Sequence, residues 1–90
     1  MKPTAKHESM AALFNALAHP RRQMLFQVLR ESGKDGMAFH HLLKRTGLTP
    51  PTLAFHLKKM QEGRILLRKV KGAETWLSLN SAPVAQFPAL

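Results

Sequence analysis

Cysteine and tyrosine are both absent from the 90 residues. Without thiols there is no disulfide framework, no thiolate zinc finger, no iron–sulfur ligation and no thiol catalysis. The absence is compatible with a reducing cytoplasm, where the chain is expected to act. Acidic residues are scarce, with 5 Asp+Glu against 14 Lys+Arg, a formal charge of +9. No two carboxylates stand at a spacing that pairs them for acid–base work. The glycines at 33, 36, 47, 63 and 72 fit caps and turns rather than a phosphate-cradling loop, and no serine has a local base. The chain is therefore not expected to be an enzyme, and no cofactor is expected. Long hydrophobic runs are missing too: none approaches the roughly 18–20 residues of a membrane span. The basic start, Met1 to Glu8, leads into no apolar stretch of the kind a signal peptide has. No membrane partner is expected.

What is present suits one small domain. Hydrophobic residues make up 44% of the chain, so it is not a disordered basic tail. A chain of this length buries only about two-thirds of its unfolded surface. Its core is thin, and a second copy would help to cover it. The excess of cations makes a polyanion the expected partner.

Periodicity divides the chain into a flexible start at 1–8, a domain at 9–80 and a short tail at 81–90. After a Ser9 cap, Met10, Leu13, Phe14 and Leu17 recur at helical spacing. They read as core, as dimer seam, or as both. That helix is expected to end near Ala18, because His19 precedes a proline and resists helical dihedrals. Pro20 opens a second helix with Met24, Leu25, Val28 and Leu29 as its stripe, stopped by Gly33. His19 is expected to orient the junction. Arg21 and Arg22 sit at a helix start, where cations oppose the dipole, so one of them reads as a phosphate ligand or an ion-pair member.

A short third helix carries Phe39, Leu42 and Leu43 and ends at Gly47. Thr49-Pro50-Pro51 then caps a fourth, with Leu53, Leu57 and Met60 inward and Gly63 closing it. From Ile65 the period changes to that of strands: Ile65–Val70, a Lys71-Gly72-Ala73-Glu74 turn, and Thr75–Leu79 read as a hairpin with Trp76 as its packing anchor. The fold expected is mainly α (α+β): about four helices followed by a two-stranded β-hairpin, a winged helix-turn-helix.

Residues 39–63 form the helix-turn-helix. At about 100° per residue, Pro51, Phe55, Lys58 and Glu62 face away from the core, flanked by Thr52, His56 and Lys59. Such a helix fits a major groove. Between Lys44 and Lys71 stand eight basic residues and a single acid, Glu62. The residues expected near double-stranded DNA are Lys44, Thr49, Pro51, Thr52, Phe55, His56, Lys58, Lys59, Lys69 and Lys71. The first two turns of the fourth helix lack Arg, Asn and Gln. They suit thymine methyls and shape, so modest sequence specificity with a strong electrostatic share is expected. His40 and His41 are adjacent and diverge on a helix, so no metal site is expected.

Three segments resemble one family in order and spacing. Leu17-Ala18-His19-Pro20-Arg21-Arg22 resembles the opening signature of ArsR-type winged-helix repressors. Leu48 to Lys58 resembles their recognition-helix motif, and Gly63-Arg64-Ile65-Leu66 resembles their step into the wing. The resemblance covers about residues 10–79. It implies a homodimeric transcriptional repressor that places the fourth helix of each subunit in successive major grooves, about 34–36 Å apart. It also implies release by an effector, often a metal ion. The positions matching the family's Cys-x-Cys metal site hold Ala38 and His40, and the tail is too short for its long terminal dimerisation helix. Dimer contacts would fall to Met10, Leu13, Phe14 and Leu17, with Val84, Phe87 and Leu90 of the tail. The competing readings are a winged-helix protein-interaction module and a non-specific nucleic-acid-binding protein.

Overall fold

A computed structural model of the chain describes residues 1–82. Val84, Phe87 and Leu90 lie outside the described residues. Along the described chain run α1 (Ala5–Leu17), α2 (Pro20–Glu31), β1 (Met37–Ala38), α3 (Phe39–Thr46), α4 (Pro50–Glu62), β2 (Leu66–Lys71) and β3 (Glu74–Leu79). The strands form an antiparallel sheet in the order β1-β3-β2. The winged helix-turn-helix expected from the sequence is the fold observed.

Two differences concern ends and edges. First, α1 starts at Ala5, not after Ser9. Thr4 is the cap: its hydroxyl accepts from His7 N at 3.4 Å and its own N–H donates to His7 Nδ1 at 3.0 Å. This is a capping box with histidine in place of the usual Glu or Gln, and it satisfies two otherwise orphaned donors. Second, the sheet has a third strand. Met37 and Ala38 pair with Leu77 and Trp76, so β3 is central rather than a hairpin arm. Two residues carry no readable alternation, so only the pairing reveals β1. The hairpin arms also shift by a residue: Ile65 is a buried core residue before β2, and Glu74 already pairs with Lys71.

The core is contributed by every layer. Leu13, Ala16 and Leu17 of α1 meet Leu25, Phe26 and Leu29 of α2, Leu42 of α3, Leu53, Leu57 and Met60 of α4, and Ile65, Leu66 and Leu77 at the sheet. On α2, Leu25 and Leu29 are buried and Val28 packs beside them as expected, but Met24 is exposed and Phe26 takes its place in the core. Junctions are tied by side chains that take up end-of-helix groups. Gln23 Nε2 donates to Leu17 O at 3.0 Å, and Asn80 Nδ2 donates to Arg64 O at 3.0 Å.

The end of α4 departs from the expected glycine cap. Gly63 has φ −79°, and the left-handed residue is Arg64, at φ 61°. Gly63 is needed for room: a Cβ there would meet Ala16 Cβ at 2.4 Å and Ala12 O at 2.8 Å. The close approach of α1 reserves that position for glycine and pushes the turn's strain, of the order of 1–2 kcal/mol, onto Arg64.

Candidate nucleic-acid interface

The helix-turn-helix is built by α3, the turn 47–49 and α4. Gly47 caps α3 at φ 71°, as the turn requires. Thr46 clamps the corner: its hydroxyl donates to Leu42 O at 2.7 Å and accepts from Leu48 N at 3.3 Å. Thr49 holds the cap position of α4, with extended backbone, but its side chain makes no cap bond. Its hydroxyl instead donates to Thr52 Oγ1 at 2.9 Å, leaving the α4 N-terminus with peptide N–H groups unclaimed by that cap.

Leu53, Leu57 and Met60 anchor α4 inward, which turns Pro51, Ala54, Phe55, Lys58 and Glu62 outward. Phe55 is 54% exposed and carries Lys59 Nζ at 5.7 Å from its ring. Lys59 also pairs with Glu62 at 3.6 Å, and Arg45 pairs with Glu31 at 3.5 Å. Such exposed pairs contribute about 1 kcal/mol or less, so they do not prevent either cation from turning to a phosphate. Lys44 and Lys58 are exposed.

Between α4 and the wing runs a groove of about 140 Å³, floored by Phe39, Leu57 and Leu77 and edged by Lys58 and Arg68. Arg68 sits opposite Leu77 in the sheet register, on the α4-facing side. It was not among the residues expected at DNA. Its position within the alternating β2–β3 ladder is the signal that could have found it. Lys69 and Lys71 occupy the other sheet face, opposite Trp76 and Glu74. Lys71 Nζ lies 4.4 Å from the Trp76 ring centroid, and Trp76 Nε1 donates to Glu74 Oε2 at 3.1 Å. Trp76 thus organises the wing tip and holds a cation out from it.

A helix-turn-helix domain family matches residues 17–69, more than half of the chain. The chain belongs to this helix-turn-helix family. Solved structures extend the likeness over the whole fold. A possible transcriptional regulatory protein from Mycobacterium bovis is similar at TM-score 0.78 and 20% identity, over 98% of this chain and 91% of that one. The transcriptional repressor BigR from Xylella fastidiosa is similar at TM-score 0.73 and 28% identity, over 90% and 80%. NolR from Sinorhizobium fredii is similar at TM-score 0.75 and 23% identity, over 99% and 91%. No curated protein matches the sequence. The resemblance to ArsR-type winged-helix regulators is borne out, and with it the assignment as a DNA-binding transcriptional regulator.

Within this winged helix-turn-helix the expected site residues divide. Thr49, Pro51, Phe55, Lys58, Lys69 and Lys71 are exposed, with Thr52 and Lys59 half-buried beside them. His56 is a correction. It is 3% exposed and packs inward, its ring 4.6 Å from that of His19. The flank of α4 that it occupies is covered by the α1–α2 junction, so it cannot reach a base. Leu13 and Leu17 are a second correction. Both are buried in their own protomer's core and are not available to a partner, whereas Phe14 is 47% exposed and Met10 half-buried. The rings of His40 and His41 stand 4.2 Å apart despite their helical divergence. Among the described residues no three His, Asp or Glu side chains converge on a point. No helix among them is long and apolar enough to cross a membrane.

His19 orients the helix junction as expected. It caps α2, its Nδ1 accepting from Arg21 N at 3.1 Å, which assigns its ring proton to Nε2 when neutral. Arg22 is also buried, reaching Asn15 O at 3.4 Å through Nη2. Burial holds the His56 pKa below the ordinary 6.5, and the nearby His19, Arg22 and Arg21 lower it further. A base with a depressed folded pKa binds fewer protons folded than unfolded. Its stabilising contribution is complete above the unfolded value and is lost as pH falls through and below about 6.5. The urea midpoint is expected to be lower at pH 5.5 than at pH 7.5. His56→Gln should flatten that difference, and identical pH dependence in the two proteins would show that His56 is not its source.

Proposed function

We propose that this protein is a homodimeric repressor acting in the cytoplasm, without a catalytic step. In this reading α4 of each protomer enters a major groove, while the wing and the α4–wing groove follow the backbone. The observation that carries it is the alignment of one outward line on α4 with a cationic groove, edged by Lys58 and Arg68, in a chain of charge +9. Phe14 and Met10, on the outward side of α1, supply an apolar surface for the second copy. BigR, a transcriptional repressor by name, supports repression as the outcome.

The test is fluorescence anisotropy on a duplex selected by the protein from a random pool, against a scrambled duplex, over a salt series. Preference for the selected duplex is expected to reach about a hundredfold or more near 150 mM salt. Lys58→Ala and Arg68→Ala should each weaken both duplexes alike and reduce the salt slope by about one unit. Equal binding of both duplexes with a steep slope would leave only charge attraction. Weak binding of both would favour a protein groove as the partner of Phe55.

A further inference from the structure

Two buried polar atoms have no hydrogen-bond partner among the described residues: Arg22 Nε and His56 Nδ1. They belong to one cluster. His56 projects from the buried side of α4 and its ring contacts that of His19, the cap of α2. The charged groups that face it are His19 at the α1–α2 junction and Arg22 and Arg21 at the start of α2. No carboxylate is among them. The buried residues of α1 are Leu13, Ala16 and Leu17, and that of β2 is Leu66, so those two neighbours of α4 bring no titratable group to the core. Unpartnered buried polar atoms are costly, so this contact is a poor one if merely structural. It is also unsuited to a metal ion: one imidazole nitrogen of His19 is committed to the Arg21 amide, and two guanidinium groups oppose a cation. What it can take up is a proton, and the proton is then unwelcome.

We infer that the His19–His56 contact makes DNA binding by this protein proton-sensitive: protonating His56, packed against His19 beside Arg21 and Arg22, loosens the recognition helix α4 from α2 and weakens specific binding at acidic pH. The inference rests on the DNA-binding reading of α4. The device lies on the inner face of the helix whose outer face meets DNA, so one element serves both. In the neutral state the two rings, tilted at 48° to one another, fill the α2–α4 contact. A charged His56 ring faces the Arg22 and Arg21 guanidinium groups from a buried position, where the low dielectric offers little screening. The balance between seated and loosened α4 shifts by up to about tenfold per pH unit as His56 takes up its proton below the ordinary 6.5. Affinity falls by the fraction of seated helix lost. The sign is diagnostic. Added positive charge elsewhere on the surface would instead strengthen binding to any polyanion.

The experiment uses the full chain and the duplex it selects from a random pool at pH 8. Affinity for that duplex and for a scrambled one is measured between pH 7.5 and 5.5 at constant salt. Amide NMR shifts of Leu53 to Met60 are followed over the same range without DNA. The expected result is at least a threefold fall in the selected-over-scrambled ratio for the wild-type protein, with α4 shifts moving together. His56→Gln should show a flat or rising affinity. His19→Asn keeps a capping side chain on α2 but removes the facing imidazole, so it should soften the dependence. It serves if His56→Gln fails to fold. Parallel profiles in wild type and variants, or α4 shifts unchanged down to pH 5.5, would overturn the inference. Failure to select any duplex, with α4 shifts still titrating, would overturn the DNA reading and leave the proton-driven loosening standing.

Discussion

Gly36→Ala is expected to lose about 3 kcal/mol or more of stability, measured as a fall of at least about 12 °C in the thermal midpoint. Gly36 lies just before β1 with φ +77°, a region that costs a side chain about 1–2 kcal/mol. Space adds to this. A Cβ at Gly36 would fall inside contact distance of the Leu77 carbonyl, whose oxygen is 1.9 Å from the position it would take. Leu77 is backbone of the central strand and pairs with both Met37 and Arg68, so it cannot yield without breaking two ladders. A domain of this size has only about 5–13 kcal/mol in total. Gly33→Ala is the control: φ is +74° there, but nothing stands within 4 Å of a Cβ. It should cost about 1–2 kcal/mol, the backbone share alone. Equal losses at the two positions would show that the β1–β3 contact is not the cause.

Leu53→Ala should cost about 2–5 kcal/mol, because it removes a fully buried side chain from the inner face of α4 and leaves a cavity. The loss appears in the urea midpoint, and DNA binding falls with it because α4 is seated by this row. Phe55→Ala, two residues along on the outer face, separates the two roles. Its ring is more than half exposed and contacts His56 and Lys59 of its own helix, so stability should change by less than about 1 kcal/mol. Any loss of DNA affinity there then belongs to the interface. A large stability loss from Phe55→Ala, or none from Leu53→Ala, would mean that α4 is rotated relative to the arrangement described.

These two substitutions also mark how far the sequence could be read. The 3.6-residue spacing of Leu53, Leu57 and Met60 fixes which side of α4 faces in, and Phe55 and Lys58 follow on the other side from helix geometry alone. The Thr49-Pro50-Pro51 start and the Gly47 stop set the helix boundaries in the same local way, as does the Pro20 start of α2. The excess of cations over Lys44 to Lys71 needs no fold to be seen, and the order of helix, turn, helix and hairpin follows from these signals.

What local signals do not contain is the width of each buried face. A helix wheel places His56 beside the exposed line, but only the packing of α1 and α2 over that flank decides that it is inside. The same packing takes Leu13 and Leu17 into the protomer core and leaves Phe14 outside. It makes Gly63 a spacer for α1, with Arg64 taking the left-handed turn. β1 exists because β3 offers a second edge, a pairing between residues about forty positions apart that no local period encodes. The amino-acid order therefore determined the elements, their caps and the charge they carry. The tertiary structure decided which flank of each helix is covered, because burial depends on neighbours brought from elsewhere in the chain.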